Sequence, residues 1–186
     1  MGSPQPDRAT RGKQVLGPDD IARSLTRIAY EIIERNDGAD GLVIAGIPTR
    51  GATLARRLVE RIGQVGGART QYASIDTTMF RDDLRAQPLR PPHRTEIPES
   101  GIDGRPVILV DDVLYTGRTV KAALDALGMT GRPSRVQLAV LVDRGHRELP
   151  IRPDYVGKNL PTSRSETVTI LLDETDGADA VLLGVR

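Results

Sequence analysis

The segment Val107–Thr119 limits the possible folds of this chain more than any other part of the sequence. It begins with four apolar, mostly β-branched residues, Val107 to Val110, which run directly into the adjacent carboxylates of Asp111 and Asp112. A continuous apolar run is typical of a strand that is buried on both faces, as in a parallel sheet. Open α/β folds bind their ligands at the carboxyl ends of such strands. The segment therefore predicts a parallel α/β sheet with a ligand site beside the two carboxylates.

A turn rich in hydroxyl groups follows the carboxylates and leads into a helical pattern. This turn, Tyr115 to Thr119, offers backbone N–H groups, two threonine hydroxyls and a helix N-terminus, which together suit a phosphate dianion. One element thus presents acceptors for sugar hydroxyls beside a cradle for phosphate, which indicates a phosphorylated sugar as the ligand. The alternative is an ordinary buried strand that ends at a helix N-cap. That alternative gives no reason for two carboxylates at the strand end.

The rest of the sequence alternates between strand and helix patterns. Helices are predicted from Gly17 to about Asn36, over 52–62 and after Thr119, and strands over 42–47, 70–75, 107–110, 135–142, near 155–156, over 167–172 and over 181–185. Such alternation predicts an α/β fold, with a mainly parallel twisted sheet flanked by helices on both faces. We expect residues 1–14 to form a disordered tail and residues 15–186 to form one domain. The proline-rich stretch from about 80 to 106 has no period and predicts a long flexible loop.

A second strand-to-helix junction lies at Ala45–Gly51. Gly46 and Gly51 permit a close backbone approach, and Arg50 can supply a fork of donors to an anion. Taken alone, this junction is a weak signal, because a plain strand-to-helix turn is an alternative. Together with the first motif it provides the second of two separate anchors, which a sugar carrying both a phosphate and a pyrophosphate requires.

Composition excludes several other classes of protein. The chain has no cysteine and two histidines, which argues against disulfides, thiolate metal sites and a histidine-rich metal cage. Its formal net charge of +1 does not indicate a nucleic-acid partner, although a local basic patch still could. No apolar run is long enough to span a membrane and no signal-peptide core is present, so we expect a soluble cytoplasmic protein. Neither a Gly-x-Gly-x-x-Gly nor a P-loop motif occurs, which excludes a dehydrogenase.

The carboxylates with Thr116–Thr119 resemble the signature of type I phosphoribosyltransferases, which bind 5-phosphoribosyl 1-pyrophosphate (PRPP). The segments 139–150, 25–29, 81–84 and 154–163 narrow the resemblance to the PyrR family, whose members are bifunctional: RNA-binding regulators of the pyrimidine operon and uracil phosphoribosyltransferases. The resemblance covers residues 15–172. One departure is Tyr30, where many members have histidine, and it concerns the RNA face.

This resemblance implies a type I phosphoribosyltransferase fold with a small hood, and the conversion of uracil and PRPP to UMP and pyrophosphate. Asp111 and Asp112 would act in catalysis and hold the ribose hydroxyls directly or through Mg²⁺, largely by way of substrate and water, with Asp173 as a further metal candidate. The implied PRPP- and nucleotide-binding residues are Thr49, Arg50, Gly51, Arg81, Val107, Ile108, Leu109, Val110, Val113, Leu114, Tyr115, Thr116, Gly117, Arg118 and Thr119. The base would be read by Val142, Asp143, Arg144 and Val168. The loop over 80–106, which also carries Arg85, would close over the site and exclude water.

The resemblance also implies an RNA partner. A homodimer, or a tetramer or hexamer, would present a basic concave surface to a hairpin in the pyr messenger RNA leader, with UMP or UTP strengthening the grip. The implied RNA-binding residues are Arg23, Thr26, Arg27, His146, Arg147, Arg152 and Lys158. Composition alone favours a solvated charged surface here. Two alternatives remain open: an RNA-binding regulator whose phosphoribosyltransferase site only senses nucleotides, and a plain pyrimidine or purine salvage enzyme that binds no RNA. Control of transcription termination and control of translation are both compatible with the sequence.

Overall fold

A parallel sheet of five strands forms the centre of the fold. The structure, a computed structural model, describes residues 12–67, 69–81 and 94–185. Its elements in chain order are β1 (Lys13–Leu16), α1 (Pro18–Arg35), β2 (Val43–Gly46), α2 (Arg50–Gly66), β3 (Gln71–Ser74), a 3₁₀ helix (Thr78–Phe80), β4 (Pro106–Leu114), α3 (Arg118–Thr130), β5 (Arg135–Asp143), β6 (Tyr155–Asn159), β7 (Glu166–Leu171), α4 (Asp173–Asp176) and β8 (Ala180–Val185). The strand order of the central sheet is β3-β2-β4-β5-β6, and every neighbouring pair is parallel. The predicted fold class is therefore confirmed.

The apolar run of β4 is continuous because both of its faces are covered. Ile108 and Val110 pack in one hydrophobic cluster with residues of α1 and α2. Val107 and Leu109 pack in a second cluster with residues of α3. Each fully buried side chain of this size contributes roughly 1.5–3 kcal/mol to folding. The central strand is thereby fixed, together with the carboxylates that follow its apolar part.

The helices begin and end close to the predicted positions. Gly17 is the N-cap of α1 and Asn36 its C-cap, and the Asp20 carboxylate accepts a hydrogen bond from the Gly17 N–H at 3.0 Å. Helix α2 is longer at both ends than the predicted range of 52–62. It ends at Gly66 and is capped by Gly67, whose φ is +64°. A residue without a side chain adopts this left-handed conformation at little cost, which explains the helix end.

A smaller antiparallel sheet, β1-β8-β7, lies apart from the central one and corresponds to the predicted hood. In this sheet Lys13 and Gln14 pair with Leu183 and Leu182. The boundary predicted for the N-terminal tail, residue 14, is therefore wrong by two residues, because strand pairing orders Lys13 and Gln14. Residues 1–11 lie outside the described part of the chain.

The stretch predicted as a long loop is only partly described. It begins within the 3₁₀ helix, and Glu96 exchanges two backbone hydrogen bonds with Ser74, at 2.8 and 2.9 Å. Residues 82–93, including Arg85, lie outside the described residues, so the flexibility of this loop stays a prediction. Within the described ranges, no helix is both long and apolar enough to cross a membrane.

Candidate active site

Two adjacent carboxylates, those of Asp111 and Asp112, lie within β4 near its carboxyl end. The sequence predicted that the strand ends before them, but β4 continues to Leu114 because Val113 still pairs with Val142 of β5. The Asp111 carboxylate accepts a hydrogen bond from the Asp112 N–H at 3.0 Å. The Asp112 carboxylate accepts one from the Val113 N–H at 2.8 Å. Strand geometry therefore fixes both side chains.

Burial raises the pKa of both carboxyl groups. For Asp111 the main cause is burial, the charge of Asp112 raises the pKa further, and the charge of Arg81 opposes the shift. For Asp112 burial is again the main cause, while the Val113 N–H and the charge of Arg50 oppose the shift. Ionisation of this pair costs free energy, and hydroxyl groups or a cation brought by a ligand would lower that cost.

The turn after β4 leads directly into the N-terminus of α3. Gly117 is the N-cap of α3 and has a φ of +93°, in the region that favours glycine. The Lys121 N–H donates to the Gly117 carbonyl at 3.0 Å, and the Arg118 N–H donates to the Thr116 hydroxyl at 3.4 Å. The exposed Arg118 side chain pairs with Glu148 at 2.9 Å. A helix N-terminus next to a left-handed residue is a suitable anion site.

The loop that follows β5 supports this turn. The N–H groups of Glu148 and Leu149 both donate to the Thr116 carbonyl, at 3.0 and 3.2 Å. A β-carbon added to Gly117 would lie 3.3 Å from Ile151 and 3.4 Å from Leu149, so the loop packs closely against the turn. The turn is thereby held in place from outside the strand and helix that it connects.

Arg147, which the resemblance assigned to RNA, belongs to this support. Its guanidinium donates to the carbonyl of Tyr115 at 2.9 Å and to the carbonyl of Ile151 at 3.0 Å. It also donates to the Asp143 carboxylate at 2.5 Å, and its side chain is only 22% exposed. These partners occupy both ends of the guanidinium fork. Arg147 therefore joins the loops around the site, and the RNA-binding role that the resemblance implies for it stays a prediction.

The junction between β2 and α2 approaches β4 through its glycines. The Ile47 N–H donates to the Val110 carbonyl at 2.9 Å. A β-carbon on Gly51 would lie 2.5 Å from the same oxygen and 3.2 Å from the Cα of Asp111. The peptide bond between Pro48 and Thr49 is cis. The predicted second anchor is thus placed directly against the carboxylate strand.

Arg50, the predicted donor of this second anchor, already has a carboxylate partner. Its Nε and Nη2 donate to the two oxygens of Asp176 in α4, at 3.1 and 2.8 Å. Its charge also opposes the rise in the pKa of Asp112 that burial causes. The pairing with Asp176 could not be predicted from the sequence, because the two residues are far apart in the chain.

The residues predicted to read a base are held by the surrounding structure. Val142 is fully buried in β5, so its side chain is not accessible to a ligand. The Arg144 side chain is 5% exposed. It donates to Thr162 Oγ1 and to the carbonyls of Ser163 and Glu166, at 2.8–3.1 Å, and its guanidinium lies 4.2 Å above the centre of the Tyr115 ring.

These contacts join the end of β5 to the start of the hood. Val168 of the hood strand β7 packs, partly buried, against the same hydrophobic cluster as Val113. A base at this place would therefore meet backbone groups and apolar surface, and the Arg144 side chain would not be free to bind it.

Comparison with known proteins assigns this architecture to a family. The model of the phosphoribosyl transferase domain matches residues 13–173. The Bifunctional protein PyrR of Streptomyces coelicolor is 62% identical to this chain, over 98% of the chain and 94% of its own length. The chain belongs to the PyrR family. Another member, the Bifunctional protein PyrR of Deinococcus radiodurans, is 58% identical over 91% of this chain and 92% of its own.

The PyrR fold is shared with more distant solved structures. The hypoxanthine phosphoribosyltransferase of Trypanosoma cruzi superposes with a TM-score of 0.69, at 17% identity, over 94% of this chain and 96% of its own. A similar enzyme from Bacillus anthracis gives a TM-score of 0.66 at 18% identity, over 95% of this chain and 99% of its own. At such low identity the likeness shows the fold alone.

The other RNA candidates of this PyrR family member lie in two places. Arg23, Thr26 and Arg27 line a groove of about 540 Å³ along α1, together with Tyr30 and Arg61. Arg61 was missed by the sequence reasoning. It donates to the Thr26 hydroxyl at 2.6 Å, and the only available signal was its position on the polar face of α2.

Lys158 of β6 adjoins this groove. The pKa of Asp20 is lowered mainly by the hydrogen bond from the Gly17 N–H, and the charges of Arg23 and Lys158 lower it further. Arg27 donates to the carbonyls of Val156 and Gly157, at 2.9 and 2.7 Å, which joins α1 to β6. We call Arg23, Arg27, Arg61 and Lys158 the α1 basic face.

His146 and Arg152 are not part of the α1 basic face. The Nε2 atom of His146 lies 2.5 Å from the Thr162 carbonyl, and the ring packs edge-on to Tyr115 at 5.9 Å between centroids. Arg152 is exposed in the segment that leads to β6. The sequence-predicted RNA residues therefore do not all converge on one surface.

Proposed function

We propose that this protein transfers the phosphoribosyl group of PRPP to uracil, which forms UMP and pyrophosphate, and that it binds the leader of pyr messenger RNA in response to UMP or UTP. We place it in the cytoplasm as a homodimer or a larger assembly. The observation that carries the proposal is the junction of Gly51 with β4, because it brings two anion-binding turns to one carboxylate pair. The relatives' name, "bifunctional", favours two functions over the alternative of a plain salvage enzyme.

The geometry supports separate roles for the residues of the PRPP site, with different residues binding the 5′-phosphate, the pyrophosphate and the ribose. Thr116–Thr119 would bind the 5′-phosphate at the N-terminus of α3, while Thr49 and Arg50 would bind the pyrophosphate. Asp111 and Asp112 would accept hydrogen bonds from the 2′- and 3′-hydroxyls between these two anchors. Their negative charge would stabilise the positive charge that develops on the ribose as the bond at C1 breaks. Arg81 would neutralise part of the charge of the departing group.

The donor set fits Mg²⁺ bound through few protein ligands. Among the described residues, no group of three or more histidine, cysteine or carboxylate side chains could hold a metal. Asp111 and Asp112 offer hard oxygen ligands, and Mg²⁺ is commonly held by one or two carboxylates together with substrate phosphates and water. When bound, Mg²⁺ would neutralise charge on the pyrophosphate. Asp173 is exposed at the start of α4, and a metal role for it stays a prediction.

Uracil would bind between the end of β5 and the hood. Uracil has an N–H group between two carbonyl groups, so it binds to one acceptor flanked by donors. The peptide groups of Val142–Arg144 and of the hood strand near Val168 could supply them. The Arg144 side chain would contribute indirectly, since its bonds to 162–166 hold these two segments together.

The enzymatic part of the proposal is tested by incubating the protein with uracil, PRPP and Mg²⁺. We expect UMP and pyrophosphate in equal amounts, and no nucleotide when hypoxanthine or guanine replaces uracil. A protein that binds UMP but forms none from uracil and PRPP would be a nucleotide sensor instead. The regulatory part is tested by a mobility shift of the pyr leader transcript at physiological salt, which UMP should strengthen.

Arg147→Gln should impair both stability and PRPP binding. The substitution removes the charged donor of the carbonyl of Tyr115 and of the Asp143 carboxylate, which keeps the Gly145 N–H as a donor. This loss should lower the free energy of unfolding by about 1–3 kcal/mol. It also removes a support of the 5′-phosphate turn, so KM for PRPP should rise. Urea unfolding and initial-rate kinetics measure the two effects.

The control is Arg132→Gln, which removes the same charge from an exposed position. It should leave both stability and KM for PRPP near the values of the unsubstituted protein. If Arg147→Gln behaved like Arg132→Gln and lost only RNA affinity, the supporting role of Arg147 would be refuted.

The α1 basic face is the part of the surface that we propose for RNA binding. Arg23 has a side chain that is 72% exposed, and Lys158 is also exposed. Arg27 and Arg61 hold protein acceptors, so they would position the face as well as add charge. With few aromatic side chains, contacts to phosphates and to RNA shape are expected to dominate over base stacking.

Arg23→Gln and Lys158→Gln should each weaken binding of the pyr leader and reduce the slope of log K against log salt concentration. A protein that makes one phosphate contact fewer releases about one counterion fewer when it binds RNA. The magnitude of each slope should therefore fall by about one. UMP formation should change little, because neither residue touches the carboxylates or the two phosphate anchors. Filter binding over a series of salt concentrations, with parallel rate measurements, gives both quantities.

A further inference from the structure

Arg50 binds Asp176 with the same geometry with which an arginine binds a phosphate group. Two nitrogens of its guanidinium face the two oxygens of Asp176, in the fork-to-fork arrangement that arginine forms with carboxylates and with phosphates alike. The pair is partly shielded from solvent, with side-chain exposures of 32% for Arg50 and 17% for Asp176. A pyrophosphate that bound Arg50 through the same fork would therefore compete with Asp176.

Asp176 belongs to an acidic segment, residues 173–179, which has its own attachment to α2. Arg57 donates to both oxygens of Glu174 and to both oxygens of Asp179, at 2.6–2.8 Å. These bonds raise the pKa of Arg57 further above its already high value. Because Arg57 and Arg50 are seven positions apart, they lie two turns apart on one face of the helix. The segment would thus stay on α2 if Arg50 were released.

The contact of Asp176 is built into the start of α4. Burial alone would raise the pKa of Asp176, but the bonds from Arg50 and from the Leu172 N–H outweigh burial and lower it. The Leu172 N–H donates to Asp176 Oδ2 at 2.9 Å. Arg50 directly precedes Gly51, which closely approaches the backbone of Asp111, and its charge opposes the rise in the pKa of Asp112. Arg50 therefore adjoins the proposed reaction centre and also binds a carboxylate of the hood segment.

We propose that Asp176 competes with pyrophosphate for Arg50. The Asp176 carboxylate binds Arg50 in the ligand-free protein and is displaced when PRPP or pyrophosphate binds. Arg57 keeps the segment nearby, so Asp176 returns to Arg50 as pyrophosphate leaves. The carboxylate weakens the binding of pyrophosphate and favours product release. The proposal rests on the assignment of Arg50 to pyrophosphate made above.

Asp176→Asn tests the competition through the direction in which the affinity for pyrophosphate changes. The amide can still accept from the Leu172 N–H but no longer presents a charged fork to Arg50. We expect Kd for pyrophosphate in the presence of Mg²⁺ and KM for PRPP to fall by about three- to tenfold. A rise in both constants would show that Asp176 orients Arg50 for the ligand, and unchanged constants would show no competition. Either result overturns the proposal.

Glu174→Gln is the matched control. It removes the same charge from the same segment, but it acts on Arg57, which keeps Asp179. It should leave both constants unchanged, whereas a fall equal to that of Asp176→Asn would mean that only the general negative charge matters.

An Arg50→Gln background separates this proposal from the one on which it rests. In that background pyrophosphate should bind more weakly, and Asp176→Asn should have no further effect. If Arg50→Gln alone left pyrophosphate binding intact, the assignment of Arg50 to pyrophosphate would fail. If Asp176→Asn still strengthened pyrophosphate binding in the Arg50→Gln background, Asp176 would not act by competing for Arg50. The assignment of Arg50 to pyrophosphate would be unaffected by that result.

A measurement on the unsubstituted protein covers the case in which Asp176→Asn does not fold. Displacement of Asp176 frees the Leu172 N–H, so hydrogen exchange at Leu172 should become faster when Mg²⁺ and pyrophosphate are added. Amides of the central strand β4 should not accelerate. Slower or unchanged exchange at Leu172 under saturating pyrophosphate would contradict the displacement.

Discussion

Asp112→Asn should lower kcat for UMP formation by at least about tenfold, which corresponds to roughly 1.4 kcal/mol of barrier. The amide keeps an acceptor for the Val113 N–H, so the local strand geometry should survive. It removes the negative charge that we assign to the ribose and to Mg²⁺. Initial rates at saturating PRPP and Mg²⁺ measure the effect.

The same substitution should not destabilise the fold. The pKa of Asp112 is raised by burial, which means that the ionised carboxylate is less stable in the folded chain than in the unfolded one. At pH 7 the neutral amide avoids this cost, so the free energy of unfolding should stay equal or rise. Loss of activity with retained stability would locate the effect in the chemistry of the site.

Asp125→Asn provides the control for Asp112→Asn. Asp125 pairs with Lys121 on the exposed side of α3, and its side chain is 48% exposed. The substitution removes the same charge far from the carboxylate pair, and kcat should stay the same. Near-normal turnover of Asp112→Asn under these conditions would contradict the catalytic role assigned to Asp112. RNA binding by Asp112→Asn should be largely retained, because the carboxylate lies outside the α1 basic face.

The sequence predicted the central sheet well because burial on both faces leaves a strong local signal. The apolar run of β4 and the alternation of strands and helices are properties of short segments. The end of β4 was misplaced for the same reason: Asp111 and Asp112 look like turn residues locally, yet pairing with β5 keeps them in the strand. Tertiary pairing overrides local preference at such positions.

Two of the contacts that could not be predicted from the sequence join residues far apart in the chain. Arg50 and Asp176 meet only because α4 returns to α2, and Arg147 meets Tyr115 only because the loop after β5 folds back over the turn. A basic residue in a charged segment has the same sequence signature whether it faces solvent or an internal acceptor. This is why Arg147 was assigned to RNA.

Gly51→Ala should have a large structural effect on the site. The new β-carbon would lie 2.5 Å from the Val110 carbonyl oxygen and 3.2 Å from the Cα of Asp111, and both are backbone atoms of the central strand. Neither atom can rotate away, so α2 or β4 must shift. We expect a loss of about 1–3 kcal/mol in the free energy of unfolding. A shift of about 1 Å between Arg50 and Asp111 should also reduce kcat/KM for PRPP by roughly 10²-fold.

Gly128→Ala separates this packing effect from the general effect of replacing glycine. Gly128 lies inside α3, and a β-carbon there would meet no atom within 4 Å. The added methyl should stabilise the helix by roughly 0.5–1 kcal/mol and leave kcat/KM unchanged. Urea unfolding and PRPP kinetics on both variants give the comparison. If Gly51→Ala were as stable and as active as Gly128→Ala, the pyrophosphate-side turn would not lie against the carboxylate strand. The site would then lose its second anchor, because the close approach of Gly51 to β4 is what supports the assignment of Arg50 to a ligand beside Asp112.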